Sequence, residues 1–336
     1  TDRGEWECSR QSPMKTLTDI TSFTDYVEQL NLFFDSDMLD DVETIETSYP
    51  TYDKDRFLDS VYMNDESYNT LVSLVKGKKN IILQGAPGVG KTFAAKRLAY
   101  SMMGVKDPNR VMMVQFHQSY SYEDFIMGFR PSENGFKLKH GVFYEFCKRA
   151  EVDSDNDYFF IIDEINRGNL SKIFGELFML LESDKRGVAL QLLYADEKFS
   201  IPENLYIIGM MNTADRSLAM LDYALRRRFA FFDLKPAFES DGFKSYQKDL
   251  NSDKFDKLIE CIKRLNLAIK SDEILGAGFC IGHSYFCDLD KFEVDELEAV
   301  LIRIVDFEII PLLSEYWFDD VDMVNEWSNN LRSAIK

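Results

Sequence analysis

Eight residues, Gly85-Ala-Pro-Gly-Val-Gly-Lys-Thr92, limit what this chain can fold into more than any other feature. They fit the pattern GxxxxGK[ST] in full, they follow the apolar run Ile81-Ile-Leu83, and they open a helical pattern carrying Phe93, Ala94, Ala95, Leu98 and Ala99. Glycines let backbone N–H groups close around phosphate oxygens, and the helix that follows turns its positive end toward the same anion. Gly85, Ala86, Pro87, Gly88, Val89, Gly90, Lys91, Thr92 and Phe93 are therefore the candidate nucleotide-binding set. Lys91 is expected to bridge the β- and γ-phosphates, and Thr92 to hold Mg²⁺.

The rest of the chain supplies a matching frame. Short apolar runs alternate with helical patterns: Ile81–Leu83, Val111–Val114, Phe159–Ile162 and Leu205–Ile208. Runs of this length between helices predict buried parallel strands with helices on both faces of the sheet. Gly135–Val142 and the alternation from Leu190 to Ile201 read as hairpins, and LSKIFGELFMLLES from Leu170 reads as one amphipathic helix. After Pro236 the strand signals fade, while Leu258, Ile262, Leu265 and Ile269 recur at helical spacing. The expected division is an acidic N-terminal segment over 1–60, an α/β nucleotide-binding domain over 61–236 and a helical lid over 237–336. Phe159-Phe-Ile-Ile-Asp-Glu164 ends a predicted strand in two carboxylates, at the sheet edge where open α/β folds bind ligands. Asp163 is expected to contact the Mg²⁺ shell, and Glu164 to position or polarise the attacking water.

Composition excludes several classes. The 336 residues carry a formal net charge of -19 with a pI near 4.7, which argues against a broad basic footprint for nucleic acid. Five scattered cysteines and three histidines offer no CxxC pair, so neither a disulfide framework nor a zinc site is expected, and a reducing cytoplasm fits. The apolar runs are too short to span a membrane. The first residues, TDRGEWECSRQSP, have no apolar core and do not read as a signal peptide.

GAPGVGKT and four further stretches narrow the reading: QFHQSYSYEDFIMGFRP (115–131), DEINRGN (163–169), MNTADRSLAMLDYALRRRF (211–229) and IGHSYF (281–286). Over residues 60–336 the chain resembles AAA+ P-loop NTPases, and in these stretches it resembles the McrB-type GTPase subunits of modified-cytosine restriction systems. The resemblance implies a parallel-sheet core with a C-terminal helical lid. It implies hydrolysis of GTP, with ATP the other candidate, in a ring of like subunits, expected to be a hexamer. It also implies a McrC-type endonuclease partner, with DNA reached through a separate reading domain or in the assembled complex. Asn212 stands where the sensor residue of AAA+ proteins meets the γ-phosphate or the lytic water. The upstream region is short and acidic, so recognition of modified bases is not expected from it. His283 and Ser284 stand where wider AAA+ proteins place a sensor arginine.

Three adjacent arginines, Arg226, Arg227 and Arg228, end a predicted helix from Ser217, and Phe229–Asp233 returns as a strand. Successive helical residues point about 100° apart, so the three cannot face one phosphate. Arg227 and Arg228 are expected to reach a neighbouring subunit's nucleotide, where such a finger supplies roughly 10³-fold or more in rate. Asp215 and Arg216 are candidate catalytic or sensor residues. A MoxR-like remodelling ATPase and a weakly hydrolysing assembly scaffold are the competing readings; Glu164 and Asn212 speak against the latter.

Overall fold

A computed structural model describes residues 49–132, 135–215 and 223–336. Tyr49–Lys336 forms one compact unit. In chain order it contains α1 (Lys54–Ser60), α2 (Asp65–Lys78), β1 (Asn80–Gly85), α3 (Lys91–Met103), β2 (Val111–Gln115), α4 (Tyr122–Phe125), β3 (Met127–Ser132), β4 (Gly135–His140) and α5 (Val142–Val152). β5 (Tyr158–Asp163), α6 (Leu170–Phe174), β6 (Leu190–Gln191), β7 (Lys198–Phe199), β8 (Leu205–Asn212), α7 (Tyr223–Arg228) and β9 (Ala230–Asp233) follow. The lid holds α8 (Asp241–Leu250), α9 (Asp253–Ser271), α10 (Val294–Ile304), α11 (Ile310–Tyr316) and α12 (Val321–Ile335).

Each expected apolar run becomes a strand. With β9, the strand expected over Phe229–Asp233, these four form one five-stranded sheet in the order β2-β5-β8-β1-β9, and every pairing in it is parallel. The crossovers matter for the site. β8 lies between β5 and β1, and its register sets Asn212 opposite Gly85. Burial on both faces explains why the strands carry apolar runs rather than alternation. One core packs α2, α3 and the lid helices against one face, and a second, rich in phenylalanine, fills the other. The QFHQSYSYEDFIMGFRP stretch feeds that second core: Phe125 stacks on Phe143 with ring centroids 4.7 Å apart, and Ser121 and Asp124 close a capping box on α4.

β6 with β7 form the antiparallel hairpin expected over Leu190–Ile201. Gly135–Val142 is not a hairpin by itself: Gly135–His140 is the single strand β4, its antiparallel partner is the upstream β3, and Val142 already opens α5. The expected helix from Leu170 is not continuous. It stops at Phe174, and Gly175–Leu181 continues as a 3₁₀ turn. Gly175 sits at φ 51°, and a Cβ there would lie 2.9 Å from the Tyr122 ring, so close packing against α4 breaks the helical register. Of the helix expected from Ser217, the described part is α7; residues 216–222, including Arg216, lie outside the described residues. Asn80 is the polar exception in β1. Fully buried, it donates to Leu181 O (2.5 Å) and Arg228 O (3.0 Å) and accepts from Arg186 Nη2 (2.5 Å). It thereby joins the end of the 3₁₀ turn to the end of α7. Among the described residues no helix is long and apolar enough to cross a membrane.

Candidate active site

The loop from Gly85 to Thr92 runs from the end of β1 into α3. Gly85 tolerates no side chain, since a Cβ would lie 2.3 Å from Leu234 O. Gly88 and Gly90 both hold φ +75°, a conformation glycine adopts without steric cost. Gly90 is the N-cap of α3; the first turn carries no acidic residue and, among the described residues, no side-chain cap. Its first N–H groups are thus left without a side-chain cap, the state in which a helix N-terminus accepts an anion. Lys91 Nζ donates to Gly85 O (3.0 Å) and Ala86 O (2.9 Å). Burial pushes the Lys91 ammonium down to about 8, against the opposing pull of Glu164, Asp163 and Asp215.

The carboxylates enter from the neighbouring strands. Asp163 ends β5, and its Oδ1 accepts from the Glu164 backbone N–H (3.0 Å). Glu164 turns the chain with φ 51° and ψ 45°, a left-handed conformation that residues with a Cβ rarely adopt. Asn212 ends β8 and donates from Nδ2 to Glu164 Oε1 (2.9 Å). β8 pairs with β5, and the side chain that Asn212 meets is Glu164. Arg167 completes the group. Its Nε contacts Glu164 Oε2 at 3.1 Å, and its Nη2 contacts Asp215 Oδ2 at 3.2 Å. Arg167 was not among the residues read from the sequence. The signal was its place three residues after Glu164 in DEINRGN, which a short 3₁₀ turn over Ile165–Arg167 folds back on itself.

The lid touches the phosphate loop through IGHSYF. Gly282 N–H donates to Pro87 O (3.2 Å) and Ser284 N–H to Gly88 O (2.8 Å). A Cβ on Gly282 would lie 1.9 Å from Gly88 C, so two glycines from opposite ends of the chain form the seam. His283 is buried beside it, and its Nδ1 accepts from the Ala237 N–H at 3.1 Å. Burial holds its imidazole down at about 4, so it is neutral near pH 7, with its proton on Nε2. A cavity of about 320 Å³ opens here, lined among others by Tyr62, Val89, Gly90, Phe93, Leu234 and His283.

A glycine-built phosphate loop, two strand-end carboxylates with a partnering asparagine, and a helical lid seated on the loop make a nucleotide site. Residues 80–229 match the AAA domain family (dynein-related subfamily), and residues 257–325 match the McrB α-helical lid domain. The chain belongs to the McrB-type AAA proteins. It is 50% identical over 282 residues to the type IV methyl-directed restriction enzyme EcoKMcrB subunit of Escherichia coli K12, covering 82% of this chain and 61% of that protein. It is 27% identical over 250 residues to the type II restriction enzyme BsuMI component YdiS of Bacillus subtilis 168, covering 60% of this chain and 72% of that one. The chain thus spans about 61% of the length of the first relative. The lid match supports the McrB-type reading over the MoxR-like one.

The remaining candidates of this McrB-type AAA domain lie away from the carboxylates, on α7. Arg228 is 15% exposed. It binds Glu182 Oε1 at 3.0 Å and lies 4.5 Å from the Phe178 ring centroid. Arg227 is 78% exposed and reaches the same Glu182 only at 3.8 Å. Arg226 is exposed, with Phe231 beneath it at 6.0 Å. The helix therefore separates the three as its pitch requires, with one cation held inside the chain and one directed outward.

Proposed function

We propose that this chain is the motor subunit of a McrBC-like, modification-dependent DNA restriction system, and that it hydrolyses GTP with Mg²⁺. In this reading it works in the cytoplasm as a ring of like subunits, six in number, with a McrC-type endonuclease. The observation that carries the proposal is the convergence of Lys91, Asp163, Glu164 and Asn212 at the C-terminal ends of three neighbouring strands, beneath a McrB-type lid. Residues 61–236 serve as the nucleotide-binding domain and 237–336 as the lid.

The geometry supports the following roles. Residues Gly85 to Thr92 hold the phosphates, while Phe93 and His283 line the neighbouring cavity. Mg²⁺ keeps several waters and takes one or two protein oxygens beside phosphate. Thr92 and Asp163 fit that demand, and the group of three or more acidic, imidazole or thiol ligands that a fuller cage needs is absent among the described residues. Bound there, Mg²⁺ would neutralise phosphate charge. Glu164 orients the attacking water and accepts its proton, and Asn212 holds the carboxylate in place. Arg227 reaches a neighbouring subunit's nucleotide, Arg228 anchors the end of α7 on Glu182 rather than reaching out with it, and Asp215 and Arg216 complete the catalytic set. The preference for GTP rests on the family, because the loop meets only phosphates.

Turnover of GTP and ATP by the unmodified chain and by Glu164→Gln tests this reading. The variant is expected to bind nucleotide within about twofold of normal and to lose roughly 10²- to 10⁴-fold in turnover. Near-normal turnover would remove Glu164 from the reaction, and ATP hydrolysed as well as GTP would overturn the nucleotide assignment.

A further inference from the structure

Glu164 needs a holder. Its backbone sits in the left-handed region (φ 51°), so the direction of its side chain does not follow from the strand that precedes it. Asn212 takes one carboxylate oxygen and Arg167 the other, at 2.9 and 3.1 Å. The two donors are unlike. Asn212 is the last residue of β8, fixed by the sheet ladder, and it fixes one oxygen only. Arg167 is 45% exposed and has a second commitment to Asp215 at 3.2 Å, on the loop that leaves β8. At the Glu164 end the pair is partly withdrawn from water, with the carboxylate 13% exposed; at the Asp215 end the carboxylate is 31% exposed. A guanidinium can do this because its donors form a rigid planar fork, whereas an ammonium is a point charge on a flexible stem.

We infer that Arg167 is a positioning residue for nucleotide hydrolysis. It orients the Glu164 carboxylate and couples that orientation to the Asp215 loop. The inference rests on the reading of Glu164 as the group that handles the attacking water. Displacing the Asp215 loop would draw the guanidinium away from Glu164 Oε2, leaving that oxygen directed by Asn212 alone.

The test uses the full chain, with fluorescent guanine nucleotide and Mg²⁺ for binding and GTP for turnover. The variants are Arg167→Ala, Arg167→Lys, Asp215→Asn and the double Arg167→Ala/Asp215→Asn, with Glu164→Gln alongside. Arg167→Ala is expected to lower kcat about 10- to 100-fold, the scale of a misdirected catalytic group, while nucleotide Kd stays within about twofold. Asp215→Asn is expected to lower kcat less, and to add nothing in the Arg167→Ala background, because the two act as one unit. Arg167→Lys is expected to recover little, and millimolar guanidinium to restore part of the Arg167→Ala rate. Unchanged kcat in Arg167→Ala, or additive losses in the double variant, would overturn the inference. So would a fall in Kd-measured affinity together with thermal stability, which marks a merely structural ion pair. If Glu164→Gln is inactive while Arg167→Ala is active, only the positioning role fails. If Glu164→Gln turns over normally, the reading beneath it fails as well.

Discussion

The two cationic regions of this molecule are built in opposite ways. Beside the phosphate loop, Lys91 and Arg167 are both satisfied within the chain, by loop carbonyls and by Glu164 and Asp215. On α7, Glu182 accepts Arg228 closely and leaves Arg227 at 3.8 Å with 78% of its side chain in solvent. Asn80, buried below, bonds the carbonyl of Arg228 itself and so steadies the end of the helix that presents the pair. The first region is complete in one copy of the chain. The second holds one cation as an anchor and extends the next, the arrangement a group acting on another surface needs.

The largest expected effect tests the outward cation. Arg227→Ala should bind nucleotide normally and hydrolyse it about 10³-fold more slowly. Mixing it with Lys91→Ala should restore part of the rate, because an intact loop then meets an intact arginine. Full activity of Arg227→Ala alone would remove the contrast, and loss of its own nucleotide affinity would place the arginine in cis. Next comes the inward side. Lys91→Ala should weaken nucleotide binding by roughly 100-fold, the scale of removing one partner of a buried charge pair, and calorimetric titration would measure it.

The lid seam should respond to acid. His283 titrates at about 4 in the fold, below its ordinary 6.5. Between those values the unfolded chain binds the proton and the folded chain does not. Stability contributed by neutral His283 is therefore present above pH 6.5 and falls as pH drops toward 4, by about 3 kcal/mol at most. Urea denaturation at pH 7 and pH 5 should show a smaller acid loss in His283→Asn than in the unmodified chain. An equal loss in both would assign the acid sensitivity elsewhere. The smallest effect is expected from Arg226→Ala, about twofold or less in turnover, since its side chain lies over Phe231 away from Glu182. A loss matching that of Arg227→Ala would mean that α7 docks as a whole face.

The parts of the site that were legible are those whose chemistry is written in adjacent residues. GAPGVGKT states its own conformation, because its glycines, lysine and helix start must be contiguous to enclose a phosphate. The strand-end Asp163 and Glu164 were legible because an apolar run of buried-strand length must end at a sheet edge. Asn212 was legible by the same rule applied to β8. Periodicity failed at Gly175, where apolar spacing alone suggested a continuous helix and contact with Tyr122, 53 positions earlier in the chain, broke it.

From the sequence alone came the α/β class, the phosphate loop, the two carboxylates and the helical lid, because hydrophobic period and local steric rules act over a few residues. Tertiary structure alone decided which groups meet across the chain. Arg167 holds both Glu164 and Asp215, Arg228 rather than Arg227 is taken by Glu182, and Gly282 of the lid closes on Gly88 of the loop. Those pairings depend on strand order and on the seating of the lid. They are set by packing of the two cores against the sheet, which no short stretch of the chain contains.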